Sequence, residues 1–386
     1  MVKIIRSDFR VQREEEGESG VAVVDGCQQS GLSSGNKAGD DAAGWMEHDL
    51  WCTVDSFTSR SGHFQDTPTR SKSNVTTIFL LGFNNLDSCK YLLFTLLLMT
   101  YCVTIYGNLL IIMLVYYSKI LHSPMYFFLT QLSFSDLMLT TDISPNMLNL
   151  VLHGQTSLNF SSCITQLFFF GFSEASECLL LTVMSYDRYL AICSPLHYTS
   201  IMNPLLCLKL VFASWILSCT IELTLTLCIC QLQFCGPNTV DHFFCDFNPV
   251  VKLSCSDVSI VQMEATLMCI PVIVLPFLVI VVSYSYIVLT IVKISSVSGR
   301  LKSFSTCSSH LTVVFIFYGT LIAMYMLPND GQSQRINKAL AMLYTVFTPL
   351  LNPFIYSLRN KDIKDALRNG VLNKKYYNWK SLVKIR

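Results

Sequence analysis

From Tyr91 to Leu358 the chain is a succession of apolar stretches, each long enough to cross the ~30 Å hydrocarbon core of a bilayer. No other feature constrains the fold as strongly. In lipid the backbone finds no water to bond with, so each stretch must close its own hydrogen bonds as an α-helix. Seven such stretches read out, at 91–117, 124–150, 163–193, 210–230, 263–292, 306–327 and 339–358. The first carries no charge, the second only Asp136 and Asp142, and the fourth is interrupted by Glu222. Composition agrees, because 52% hydrophobic and 14% charged residues over 386 positions leave too little polar surface for solution. The expected fold class is therefore all-α, a seven-transmembrane helix bundle in a multi-pass membrane protein solvated by lipid.

Charge then sets direction. Lys119, Lys209, Lys293, Arg300, Lys302, Arg359, Lys361, Lys364 and Arg368 fall on one side of seven spans. Lys and Arg collect on the cytoplasmic side, so the amino terminus is expected outside and the carboxyl terminus inside. A net charge of +1 gives no footprint for nucleic acid. Sixteen cysteines show no pairing at zinc spacing and read mostly as packing residues. Residues 1–73, rich in Gly, Ser and acidic residues and holding Glu14-Glu15-Glu16, read as a disordered extension without a secretory signal. Residues 74–90 form an extracellular segment, in which Asn74 opens an N-x-T sequon suited to a glycan. The tail, 359–386, opens on a short basic amphipathic stretch that suits the inner leaflet.

The stretch from Leu179 to Tyr198 ends an apolar helix on Asp187 and Arg188, an acid-base pair where hydrocarbon gives way to water. Anchoring at the headgroups is the plain alternative to a switch. Other residues decide between them. MSYDRYLAICSPLHY, with Asp187-Arg188-Tyr189 inside it, resembles the end of the third span of vertebrate olfactory receptors, a branch of the rhodopsin-like G-protein-coupled receptors. Leu121 to Leu129, LHSPMYFFL, resembles their LHxPMYFFL almost letter for letter. Ser303 to Leu311 resembles KAFSTCxSHL with Ser in place of Ala, and Pro349 to Tyr356 resembles PxLNPxIY. PLHY and SSHL point to the tetrapod-type class. The resemblance covers roughly residues 74–367, and the long leader departs from the family pattern.

The residues by themselves leave several pairings open. Asp136 needs a partner in lipid, and Glu177 on the third span is the candidate, with a protonated carboxyl bonded to Asn108 or Asn352 as the alternative. The family resemblance implies a hydrated Asp136–Glu177 pocket for a sodium ion that favours the inactive state; no other cofactor is expected. Cys163, Cys235, Cys245 and Cys255 face an oxidising compartment and allow three pairings. By resemblance to FCGPNxxxHFFCD, Cys163 pairs with Cys245 and Cys235 with Cys255.

A ligand cavity is read from helix periodicity. Leu167, Phe170, Gly171 and Glu174 share one face of the third helix, and Tyr318, Leu321, Ile322 and Tyr325 share one of the sixth. In related receptors such faces line the odorant cavity, with Met268 and Val272 closing it from the fifth. Glu174 is a carboxylate at membrane depth, outside the family pattern, and would favour amines or hydrogen-bond donors. Glu222 is expected to pair with a neighbouring helix. On the inner side, the Pro353 kink beside Asn352 makes a hinge that swings Tyr356. Tyr284 is placed to meet Arg188 when the bundle opens.

The implied function is an odorant receptor at the plasma membrane, taking small volatile, mainly apolar ligands and activating a stimulatory olfactory-type heterotrimeric G protein through cAMP. A chemosensor acting outside the nose keeps this mechanism in another tissue. A transporter or channel lacks the paired repeats and charged pore segments it would need. An enzyme is not expected, since His122, His153, His197 and His310 read as loop or helix-end residues without matched partners.

Overall fold

The structure is a computed structural model, and it describes residues 75–82, 89–235, 237–326, 331–359 and 362–368. The 1–73 extension and Asn74 lie outside the described residues. The rest is a bundle of long helices with a small sheet at one end, called the outer end here after the charge asymmetry of the sequence. The first span is α1 (Lys90–Tyr117), the second α2 (Pro124–His153) and the third α3 (Phe160–Cys193). A short connecting helix, α4 (Pro195–Ile201), leads into α5 (Pro204–Cys230), the fourth span. The outer loop that follows carries α6 (Phe247–Val251). The fifth span runs through α7 (Ser259–Cys269), a π-helical turn at Ile270–Val274, and α8 (Leu275–Lys293). The sixth is α9 (Val297–Met326). The seventh runs through α10 (Gly331–Met342), a second π turn at Leu343–Phe347, and α11 (Thr348–Arg359).

Six spans among the described residues are long and apolar enough to cross a membrane on those grounds alone. The second is not among them. Its 30 residues suffice in length, but Ser133, Ser135, Asp136, Thr140 and Ser144 make it polar. All five are buried against neighbouring helices, with α1 and α3 packed on either side, so these five are kept from lipid. It is the seventh member of the bundle. The outward faces elsewhere carry residues such as Leu96, Leu289 and Phe315, which only hydrocarbon solvates well.

Several helices overrun their apolar stretches. The fourth begins at Pro204 rather than 210, because Pro at the first turn needs no amide donor and Asn203 accepts a bond from the Leu206 amide at 2.9 Å. The sixth begins at Val297 rather than 306, and the seventh at Gly331 rather than 339. Hydropathy marks the part of a helix inside lipid. Backbone bonding carries the helix on into water.

Prolines account for the two wide turns and one close crossing. Pro271 and Pro276 remove amide donors in the fifth span, where the π turn lies, and Pro349 follows the π turn of the seventh. Pro353 lies against Gly107 of α1, so closely that a Cβ on Gly107 would stand 3.1 Å from the Pro353 Cβ. Spans one and seven meet there only because residue 107 has no side chain. Beyond α11, residues 362–368 form a further turn of helix, with Ile363 and Ala366 buried and Asp362 accepting a 3.0 Å bond from the Tyr126 hydroxyl.

The outer end holds a sheet that apolar counting does not reveal. β1 (Thr77–Leu80) is its centre, antiparallel to β2 (Thr156–Asn159) and parallel to β3 (Thr239–Val240). Ile78 and Leu80 alternate inward and are fully buried, the period of two expected of a strand with one covered face. The segment before the first span is thereby stitched to the tops of spans two and three.

Candidate functional site

Below the sheet lies a cavity of about 340 Å³ between spans three to seven, roofed by the outer loop. Leu167, Phe170, Gly171 and Glu174 present one face of α3 to it, and Met268 and Val272 reach it from the fifth span. The fourth span contributes Ile221, Glu222 and Leu225, and the seventh contributes Tyr344. Phe170, Phe247 and Tyr344 add rings to the wall, with Phe170 edge to face with Tyr344 at 6.2 Å and backed by Phe244 at 4.8 Å.

Two disulfides pin the roof. Cys163 at the head of α3 is bonded to Cys245, and Cys235 to Cys255, with Cα atoms 5.5 and 5.9 Å apart. Gln166 repeats the first tie without sulfur: its side chain accepts from the Cys245 amide and donates to the Asp142 carbonyl, each at 2.9 Å. Lys338 closes the other side, donating to the Gly82 carbonyl at 2.8 Å and pairing with Asp241 at 2.5 Å. Beside it, His242 is buried and stacked on Phe243. Burial holds its imidazole below the ordinary value of 6.5; Asp246 pulls it up and Lys338 pushes it down.

Deeper in the bundle, Asn352 donates to both carboxylate oxygens of Asp136, at 3.1 and 3.0 Å. Glu177 is buried and faces Asp136 within hydrogen-bonding reach, so two carboxyl groups from α3 and α2 share one site. Asn108 serves a different end, donating at 3.1 Å to the carbonyls of Thr104 and Pro349. It ties α1 to the seventh span.

At the inner end Arg188 is turned back on Asp187, bonding it through Nε at 3.0 Å and through a second guanidinium nitrogen. The other oxygen of Asp187 accepts from Tyr198 of α4 at 2.7 Å. Burial, then the Asp187 charge, pushes the Tyr198 phenol above its usual range, so it remains a donor. Tyr189 packs on Tyr286 at 5.9 Å, holding α3 to α8. Tyr284 bonds His310 of α9 at 2.6 Å, so spans five and six are joined beside the arginine. Tyr356 is fully buried with its hydroxyl unpartnered among the described residues.

The family profile described as Olfactory receptor matches residues 97–374. The chain belongs to the olfactory receptor family. It is 47% identical over 306 residues to human Olfactory receptor 11L1, covering 79% of this chain and 95% of that one. To mouse Olfactory receptor 5P55 it is 45% identical over 304 residues, 79% of this chain and 98% of the other. To rat Olfactory receptor 1468 the identity is 45% over 301 residues, 78% and 96% of the two chains. The protein is thus a multi-pass receptor of the G-protein-coupled class and not an enzyme.

In this olfactory receptor the cavity takes in Leu167, Phe170, Gly171 and Glu174 of α3, but not the whole of the expected α9 face. Leu321 lines the cavity, but Ile322 is 47% exposed and points to lipid. Tyr318 is buried a turn deeper, against Phe277 and Phe317, and does not line it. The Tyr325 side chain lies outside the described residues. The buried face of α9 runs through His310, Val313, Phe317 and Leu321, so the anticipated face is turned by about one position, roughly 100°. His310 also departs from expectation: it is a buried partner of Tyr284 inside the sixth span, not a helix-end residue. Glu222 pairs with no neighbouring helix among the described residues but faces the cavity. Tyr344 and His242 were missed altogether. An apolar run with one hydroxyl gives no signal, whereas His242 sits inside the FCGPNTVDHFFCD stretch and could have been weighed.

Proposed function

We propose that this receptor binds small volatile, mainly apolar odorants in the cavity and activates the stimulatory olfactory-type heterotrimeric G protein, raising cAMP. The observation that carries the reading is the roofed, aromatic-walled cavity of about 340 Å³ built on the same helix, α3, that ends in Asp187 and Arg188. A cavity of this kind excludes water and suits a drug-sized or smaller apolar guest. An agonist that fits the open arrangement better shifts the population toward it. The inner ends of α3, α8 and α9 then part, the Tyr284–His310 bond breaks, and Arg188 is freed from Asp187 to meet Tyr284 and the G protein. Pro353 and Asn352 supply the hinge and Tyr356 moves with it.

A sodium ion fits the deeper centre, where the buried carboxyl groups of Glu177 and Asp136 stand together. Those two carboxylates would hold it, supplying a positive charge that stabilises the closed bundle. The amino terminus faces outside and carries a glycan at Asn74, and the carboxyl terminus lies in the cytoplasm. The test is a broad odorant panel on cells expressing the chain from just before Asn74. A cAMP rise that vanishes when the G protein is removed supports the reading. An odorant-evoked current that persists without G protein contradicts it.

A further inference from the structure

We propose that the cavity is selective for protonated amines, with Glu174 and Glu222 together holding the ammonium group. This rests on the cavity being the agonist site and names the chemical class that it prefers. Glu222 of α5 lays its carboxylate directly on the Cα of Gly171, so that a Cβ there would overlap its Oε2. Gly171 is one helical turn from Glu174. The bare glycine lets two carboxylates from different spans come to the same wall.

Neither carboxylate takes part in the ion pairs of the described residues, Arg188–Asp187 and Lys338–Asp241. The cations nearby do not serve them: Lys338 pairs with Asp241, and Lys252, in the roof, pairs with neither. Asp246, a third acid in the lining, is occupied with the Phe247 amide at 2.8 Å. A second, independent observation points to the same ligand. The Tyr344 hydroxyl and the Nδ1 of His242 have no hydrogen-bond partner among the described residues, yet their side chains are only 2% and 7% exposed and both line this cavity.

These groups are matched by a compact cation with several N–H donors. A primary ammonium offers three, and its charge answers two half-buried acids that share one wall of the cavity. An alcohol offers one donor and leaves that charge uncompensated. A carboxylic acid is repelled. A metal ion fits poorly, since no three His, Cys, Asp or Glu side chains converge among the described residues. The rings of Phe170 and Tyr344, set edge to face, add a quadrupole that attracts positive charge.

The test compares n-hexylamine with n-hexanol, equal in chain length and differing in charge. Two readouts are taken on the full chain: the melting shift of the purified receptor in detergent, and cAMP in cells at matched surface expression. The amine should raise the melting temperature at concentrations roughly tenfold or more below those hexanol needs, as a charged hydrogen bond implies. Glu174→Gln and Glu222→Gln, both isosteric, should remove that advantage, and a ligand-free melting transition as cooperative as that of the unmodified receptor shows the variants folded. Equal shifts for amine and alcohol, or an amine advantage surviving both substitutions, overturn the proposal. An amine shift that depends on Glu174 without any cAMP response upholds the amine site and contradicts the signalling reading instead.

Discussion

Asp136 is a carboxylate deep in lipid, tolerable because one asparagine, Asn352, gives it two hydrogen bonds across the bundle. Replacing Asn352 with Ala leaves that acid without its donor. Hydrogen bonds to a charged group contribute about 1.5–3 kcal/mol, so the variant should melt several degrees lower and reach the cell surface in smaller amounts. His242 gives a pH prediction of definite sign. Its imidazole is held below 6.5 by burial, among Asp246, Lys338 and Asp241, so the unfolded chain binds more protons there than the folded one. Stability at this group is therefore intact above that value and lost as pH falls through it. Melting curves of the purified receptor should drop between pH 7.5 and 5.5, and His242→Asn should flatten that part of the dependence. Residues of this kind differ in how plainly a sequence shows them. Asp136, Glu177 and Arg188 stand out because ionisable groups are costly in hydrocarbon and so carry information. Tyr344 does not, because a tyrosine among apolar neighbours reads the same whether its hydroxyl meets a cavity or a headgroup.

Helices were legible as lengths of apolar chain, but their faces were legible unevenly: the regular α9 turns a different face inward than expected, whereas Val272 lines the cavity from inside a π turn. On α3 the interval of three and four residues holds, and Leu167, Phe170, Gly171 and Glu174 all reach the cavity. The π turns at Ile270–Val274 and Leu343–Phe347 each insert extra backbone, turning everything beyond them relative to a 3.6-residue count. That is why Tyr344 faces inward without a periodic signal. The β1 strand was hidden for another reason: four residues of alternating burial are too short to separate from a loop without their partners β2 and β3. The crossing of α1 on the seventh span gives a prediction at this scale. A side chain at Gly107 must displace Pro353, whose neighbouring atoms would stand at 3.1 and 3.2 Å from the first added carbon. Gly107→Val should push the two spans apart and weaken the Asn108 bond to Pro349. The expected outcome is reduced surface expression together with a smaller maximal response in the cells that do display it. Cys245→Ser removes the main tie of the roof and, at about 2–5 kcal/mol for a native disulfide, should cost surface expression more heavily still.

At the scale of the whole receptor, two rigid ends are joined by a bundle with a soft centre. The outer end is fixed by a sheet, two disulfides and the Lys338–Asp241 pair. The inner end is fixed by fewer ties, chiefly Arg188–Asp187, Tyr198–Asp187 and Tyr284–His310. Between them lie the cavity and the buried carboxyl groups of Asp136 and Glu177. On the function proposed above, a guest that fills this space changes the balance at the less heavily tied inner end. The most direct measurement is agonist-evoked cAMP in cells displaying Ala265→Phe, a substitution that puts a ring into the cavity from the fifth span, where Ala265 is buried in the lining. At equal surface display the response to any agonist of the unmodified receptor should fall at least tenfold in potency. An unchanged dose–response curve would mean that the ligand acts elsewhere.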